Sequence, residues 1–496
     1  MRSSLVIATG IFVLLLGLTP GIAKGQGEDL YNDDILHEIR FTGFDTTRLD
    51  GSKKYQPVAL SIDGTTIDSI GVKEKGNTSN GVPNLKVPLK IKTNKYVKGR
   101  EYDGVREFTL HNNYQDPTMM REKITYEVCR DMGLLALRTA YARVYINDEY
   151  WGLYTVVEGK DELFEHRLGN DDADAIETLD LAWMCYLGEN QADYENEDLP
   201  RYKLENGNGE TAWPRFIRML KTVSEASDEE FIETASRHLN LRDFYTYIAV
   251  NVYLMNFDSY IAFNGNQIYA FDSTQKVWQV VPWDFNASIN LWTPESNQVW
   301  AASYPMIPRS VENGCIASRI ATVPEARAYY LEAMCRISQT LCDPTTMDAR
   351  IDLLRDQIRT AVHDDWRKVS SSEEFDRTIG LGHFEEYEGL KTFFRDRSVR
   401  IAEELRSTNH QCGIASVTDQ RNTNDADITL SIVGTDLLLR SERKVARADI
   451  YDVAGRRVIT ITDPQSPINI RTLSSGIYLV LVEGETPWSA PIVVRR

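Results

Sequence analysis

Apolar and polar residues alternate at a spacing of two through the first third of the chain, shift to spacings of three and four in the middle, and return to two at the end. The opening pattern predicts strands over 37–41, 58–62 and 70–73, with a turn at Asp63 and Gly64. Next, Leu85, Val87, Leu89 and Ile91 face one way, while Lys86, Pro88, Lys90 and Lys92 face the other. A row of lysines with a proline predicts a solvated edge strand. After 108–112 comes a helix signalled by Asp116 as N-cap, Pro117 at its first position and Met120, Ile124, Val128 and Met132 near helical spacing, with Gly133 as its stop. A hairpin over 141–146 and 151–157 then ends at Glu158.

The segment 170–209 is acidic and reads as a solvated insertion. Helices are expected over 213–223, 228–238 and 241–256, the last delivering Asp258 into a loop. Two apolar strands, 266–271 and 277–282, flank a polar turn. In an antiparallel pair the start of one strand lies beside the end of the other, so Asp258, Asn264 and Asn266 should converge on Asp284. Further helices are expected over 324–341, 345–363 and 384–405. The composition of 409–427 is that of a linker. Short strands over 428–440, 446–461, 468–470, 477–482 and 490–494 indicate a small β-sandwich. The fold class is therefore α+β, followed by an all-β domain.

A chain of 496 residues should hold more than one domain. A formal charge of −18 argues against nucleic acid as a general partner, since phosphate backbones demand excess Lys and Arg. Arg2, the apolar run 5–18 and the small-residue end at Ala23 form a secretory signal peptide over 1–25. No later segment is long and apolar enough to span a bilayer, so a mature chain without a transmembrane span is expected. Six cysteines in an exported chain permit up to three disulfides in fifteen connectivities, and nothing in their spacing suggests zinc. Cys129 and Cys335 lie in helical patterns, where a buried free thiol is the alternative.

An Asp in a loop after a helix, an Asn several residues on, a hairpin and then Asp-Phe together resemble the catalytic centre of protein kinases. There one Asp accepts the proton of the attacking hydroxyl, and the Asn and second Asp hold Mg²⁺. The match is partial. No His-Arg precedes Asp258, and Asn286 stands where that motif has Gly. The turn Lys75-Gly-Asn-Thr-Ser79 could cradle a phosphate or be a surface connection, and the lysine strand either faces solvent or reaches nucleotide.

Residues 36–405 resemble the spore coat protein H (CotH) kinase family. The resemblance rests on Lys75-Gly-Asn-Thr-Ser79, similar to that family's Arg-Gly-Asn-Ser-Ser, on Lys86-Val-Pro-Leu-Lys90, and on Leu110-His-Asn-Asn-Tyr-Gln-Asp116 followed by Arg121. It also rests on Tyr145-Ile-Asn-Asp-Glu-Tyr-Trp-Gly-Leu-Tyr154 with Glu158, and on Trp278 with Pro282-Trp-Asp284. The resemblance implies an atypical protein-kinase-like domain over 26–408 that uses ATP and Mg²⁺ or Mn²⁺. It makes Asp258 the catalytic Asp, Asp284 a metal ligand and Asn264 or Asn266 a second one. Lys86 would contact ATP phosphates, Glu158 would pair with that lysine, and Trp278 would stack on the base. Two departures stand out: Lys75 replaces the usual Arg, and Asn286 replaces the last Asp of Trp-Asp-x-Asp, removing a charge from the metal site.

Beyond a linker at 409–427, residues 428–496 resemble the type A sorting domain of the type IX secretion system of Bacteroidetes, through Ala448-Asp-Ile-Tyr-Asp-Val-Ala-Gly-Arg456 and Leu473-Ser-Ser-Gly-Ile-Tyr-Leu479. This implies the type IX machinery as a partner and a secreted or cell-surface location reached through the periplasm. The expected function is transfer of the γ-phosphate of ATP to Ser or Thr of an exported protein substrate. The alternative is a catalytically inactive surface protein with a structural or adhesive role, favoured by Asn286 and the aromatic loop near Trp292 and Trp300.

Overall fold

The computed structural model describes residues 26–76, 86–169, 173–196, 198–262, 265–292, 299–384 and 387–408, with 410, 412 and parts of 428–494 beyond them. The signal-like segment 1–25, Asn77 to Ser79 of the phosphate-cradle candidate, Asn264 and most of the linker lie outside the described residues.

Strands β1 (Leu36–Thr42), β2 (Gln56–Ile62), β3 (Thr65–Glu74), β4 (Leu89–Lys92) and β5 (Glu107–His111) lead into helix α1 (Arg121–Asp131). The hairpin β6 (Thr139–Ile146) and β7 (Glu149–Glu158) follows it. The seven strands close into a barrel in the order β1-β2-β3-β4-β5-β7-β6, the parallel pair β1–β6 making the seam with Ile39 opposite Val144. Its alternating positions pack into one core that includes Ile39, Phe41, Leu60, Val72, Leu89, Ile91, Leu110, Val144 and Val156.

The lysine strand is shorter than its pattern predicts and is not an edge. β4 pairs with β3 on one side and β5 on the other. Lys90 and Lys92 do point outward, where they meet Glu107 at 2.7 and 3.5 Å. Lys86 precedes the strand and is buried. The helix expected from Pro117 begins at Arg121, because Met119 takes a left-handed φ of 54°. Asp116 still serves the helix end, accepting from the backbone N–H groups of Met120 and Arg121 at 3.0 and 2.9 Å.

After α2 (Lys160–Arg167) come β8 (Ala175–Thr178) and β9 (Tyr202–Asn206), then α3 (Gly209–Glu225), α4 (Phe231–Ala235) and α5 (Leu241–Tyr253). The expected hairpin forms as β10 (Gln267–Asp272) and β11 (Val277–Pro282), which joins the preceding two strands in a sheet of order β11-β10-β8-β9. The acidic stretch is thus not a simple solvated insertion. It supplies two of these strands, and its Asp174 is buried beneath Arg215 and Thr211.

Helices α6 (Arg319–Thr322), α7 (Pro324–Arg336), α8 (Pro344–Asp364), α9 (Ser372–Thr378) and α10 (Leu390–Ser407) complete this part. α5 is buried at every position from Phe244 to Tyr253. Its last carbonyls are satisfied from outside: the buried Arg397 of α10 donates to Val252 O and Tyr253 O, each at 3.0 Å. The loop carrying Asp258 therefore leaves a fixed helix end.

Two disulfides form, Cys185–Cys315 and Cys335–Cys412, while Cys129 and Cys342 are buried free thiols. In the tail, β12 (Ile428–Val433), β13 (Asp436–Ser441), β14 (Arg447–Tyr451), β15 (Arg457–Thr462), β16 (Ile468–Asn469), β17 (Gly476–Glu483) and β18 (Trp488–Val494) make two sheets, β12-β13-β16 and β15-β14-β17-β18.

Candidate functional site

The β10–β11 register sets the centre of the site. Gln267 stands opposite Pro282, so the chain entering β10 through Gly265 and Asn266 runs beside the chain leaving β11 through Trp283 and Asp284. Asp258 sits in the loop between α5 and β10, and both it and Asp284 are partly exposed. Asp284 has a left-handed φ of 55°, a conformation an Asp adopts at a cost of about 1 kcal/mol. α1 helps to hold it there. Asp284 N–H donates to Tyr126 Oη at 3.2 Å, and the Tyr126 ring meets Phe285 edge-on at 4.9 Å. Four residues on, Ser288 Oγ lies 2.7 Å from Thr125 Oγ1 of the same helix.

From the barrel side, Lys75 at the end of β3 reaches His111 of β5, with Nζ 2.7 Å from Nε2. The other ring nitrogen, Nδ1, is 2.8 Å from Glu122 Oε1 in the first turn of α1. Trp283, next to Asp284, carries Lys160 at 4.5 Å and Lys75 at 5.4 Å over its ring.

These groups form one electrostatic set. Desolvation raises the Asp284 carboxyl above its ordinary range, the Glu122 charge raises it further, Lys75 opposes this, and Asp258 adds to it. Burial pushes the Lys75 ammonium down to about 8 against the pull of Asp284 and Glu122. Asn286 Oδ1, two residues past Asp284, is enclosed with no hydrogen-bond partner among the described residues. The carboxylates of Asp258 and Asp284 and the unpartnered amide oxygen of Asn286 are the hard oxygen donors that Mg²⁺ or Mn²⁺ takes, so the residue types present fit such a cation.

Three expected site residues have other settings. Lys86 Nζ donates to Asp365 Oδ2 at 2.6 Å and to Leu153 O, in a buried position under the C-terminus of α8. Glu158 does not pair with it. Its carboxylate binds Arg138 at 2.6 Å and Arg167. Leu153 and Glu158 are five residues apart on β7, roughly 16 Å at the strand rise, so one lysine cannot serve both. Trp278 is 1% exposed and packs edge-on against Phe216 and Phe271 at 5.2 and 5.5 Å, a core position with no open face.

Sequence reasoning missed His111, Glu122 and Tyr126. The signals were present: His111 lies in the Leu110-His-Asn-Asn motif, and Glu122 directly follows Arg121.

Fold and site together define an α+β protein in which one helix, α1, reaches both a barrel lysine and the segment that carries Asp284. The CotH kinase protein family model matches residues 72–401, well over half of the chain, and the chain belongs to that family. Inner spore coat protein H of Bacillus subtilis (strain 168) is 24% identical over 286 residues, covering 57% of this chain and 76% of that protein. Invasin CotH2 of Rhizopus delemar is 22% identical over 373 residues, covering 72% of this chain and 60% of that protein. Invasin CotH3 of the same fungus is 21% identical over 344 residues, with coverages of 66% and 57%. The chain thus spans less than two thirds of either invasin. A solved HipA–HipB toxin–antitoxin complex of Shewanella oneidensis MR-1 with its operator DNA aligns over 61% of this chain and 68% of that one. Its identity is 11% and its TM-score of 0.28 is too low to carry an argument.

Proposed function

We propose that this chain is an atypical kinase that transfers the γ-phosphate of ATP to a Ser or Thr hydroxyl of an exported or surface protein. The observation that carries the reading is that helix α1 reaches both Lys75, through Glu122 and His111, and Asp284, through Tyr126, at the end of the hairpin that Asp258 leads into, with no hydrogen-bond partner for Asn286 Oδ1 among the described residues. Asp258 orients the acceptor hydroxyl and takes its proton. Lys75 donates to phosphate oxygens, the part expected of Lys86 from its place in the lysine motif. Asp284 would hold Mg²⁺ or Mn²⁺, with Asn286 and Asn264 or Asn266 as further oxygen ligands; a cation there supplies neutralisation of the charge on the transferring phosphoryl group. Trp283, partly exposed and flanked by two lysines, is the aromatic surface at this site in place of the buried Trp278.

The test is incorporation of labelled γ-phosphate by the purified chain with Mg²⁺ or Mn²⁺, beside Asp258→Ala and Asp284→Ala. Signal in the native chain and none in either variant supports the reading. A folded protein with neither signal nor nucleotide-induced stabilisation sinks it.

A second reading is a surface protein of this family that binds a partner without turnover. Two relatives bear the name invasin, and Asn286 removes a charge from the metal site. An ATP- and Mg²⁺-dependent rise in melting temperature separates the two readings. On either one, the 1–25 signal and the tail motifs support export through the periplasm by the type IX machinery to the cell surface or medium. Sequencing both ends of the mature protein from its native host tests that route.

A further inference from the structure

Helix α1 touches both sides of the site. Through Tyr126 and Thr125 it holds the Asp284–Ser288 turn, and through Glu122 it reaches His111 and so Lys75. The helix is itself tied down: Arg121 pairs with Asp116 at 2.6 Å and donates to Ile289 O and Glu388 O at 3.3 and 3.4 Å. Protein kinases need a direct lysine–glutamate ion pair between a strand and a helix for this purpose. Here an imidazole stands between the two charges.

The partners dictate the state of that ring. An ammonium has only donors and an ionised carboxylate only acceptors. Lys75 therefore donates to an unprotonated Nε2, and the ring proton sits on Nδ1, donating to Glu122. We propose that His111, as the neutral Nδ1–H tautomer, is the positioning residue that transmits the place of α1 to Lys75 and keeps its ammonium directed at the Asp284 side of the site. His111 touches neither nucleotide nor acceptor. Its effect passes through Lys75 alone, and its consequence for catalysis rests on the phosphoryl-transfer reading.

Three variants separate this role from simple packing. His111→Phe keeps a ring in the space but removes both hydrogen bonds, His111→Gln keeps one acceptor and one donor, and Glu122→Leu removes the far end. The first readout is the rate of reductive methylation of Lys75 in the full chain, measured by mass spectrometry without nucleotide. His111→Phe and Glu122→Leu should speed it roughly ten-fold, the scale of one lost charge-assisted hydrogen bond, and His111→Gln should restore protection. An unchanged Lys75 rate in folded His111→Phe overturns the proposal, as does a His111→Gln rate as high as that of His111→Phe. If His111→Phe does not fold, an unchanged rate in Glu122→Leu overturns it equally. The second readout adds Mg-ATP. If Lys75 follows the pattern above, yet Mg-ATP neither protects it nor stabilises the protein, the relay stands and the phosphoryl-transfer reading falls.

Discussion

Lys86 and Asp365 form a buried ion pair, Nζ to Oδ2 2.6 Å, that fastens the lead-in to β4 to the residue capping α8. The same Asp365 oxygen accepts from Leu153 N–H at 3.1 Å, and its other oxygen accepts from Arg367 N–H at 3.0 Å. Gly152, with φ 134°, lies so close that a Cβ there would sit 2.6 Å from that carboxylate. Desolvation lowers the Lys86 pKa while Asp365 opposes the shift. Removing either partner strands a buried charge, so Lys86→Met or Asp365→Leu should each destabilise the protein by about 3–5 kcal/mol. The double variant should recover much of that loss, as read by denaturant unfolding.

On the phosphoryl-transfer reading, the shifted Lys75 ammonium would give nucleotide binding an alkaline limit. With its pKa pushed down to about 8 by burial, Lys75 is charged below that pH and loses its charge as pH rises through it. Mg-ATP affinity should therefore fall several-fold, on the order of ten at most, between pH 7.5 and 9.5. Lys75→Arg stays charged over this range and should flatten the profile, whereas Lys75→Met should lower affinity at every pH. Isothermal titration across the range checks this.

Asp243, in the first turn of α5, is raised to about 6 by burial, with Arg242 opposing. The folded state thus holds this proton more tightly than the unfolded one. Its stabilising contribution is full below pH 4 and is lost as pH rises through 6. Asp243→Asn should raise stability at pH 7 by about 1–2 kcal/mol and remove that slope between pH 4 and 6. Thermal unfolding at several pH values measures both.

Thiol counting tests the disulfide pattern. Unfolded without reductant, the protein should titrate two thiols, Cys129 and Cys342, which are buried in the native state and both raised by that burial. Reductant should add the four of Cys185–Cys315 and Cys335–Cys412. These bridges close sequence separations of 130 and 77 residues, so losing either should cost about 2–5 kcal/mol.

What the sequence determined by itself is what local chemistry fixes. Alternation located the barrel strands, although it ran too long at Lys86, where the pattern continues but pairing begins only at Leu89. The two-strand pattern around the turn at Asp272 brought Asn266 beside Trp283 and Asp284, because antiparallel pairing follows from two β-favouring runs and a short turn. The α+β class followed from the same periodicities.

Tertiary structure alone decided which charges meet. Lys75, Lys86 and Lys90 are alike in sequence, yet one reaches His111 beside Asp284, one is buried on Asp365 nearly 280 residues away, and one lies outside on Glu107. Glu158 was the partner implied for Lys86, yet barrel closure set it among Arg138 and Arg167, while α1 brought Glu122, unmarked in the sequence, to His111. An ion pair's energy depends on distances of a few ångströms and on burial, and both are set by the packing of segments far apart in the chain.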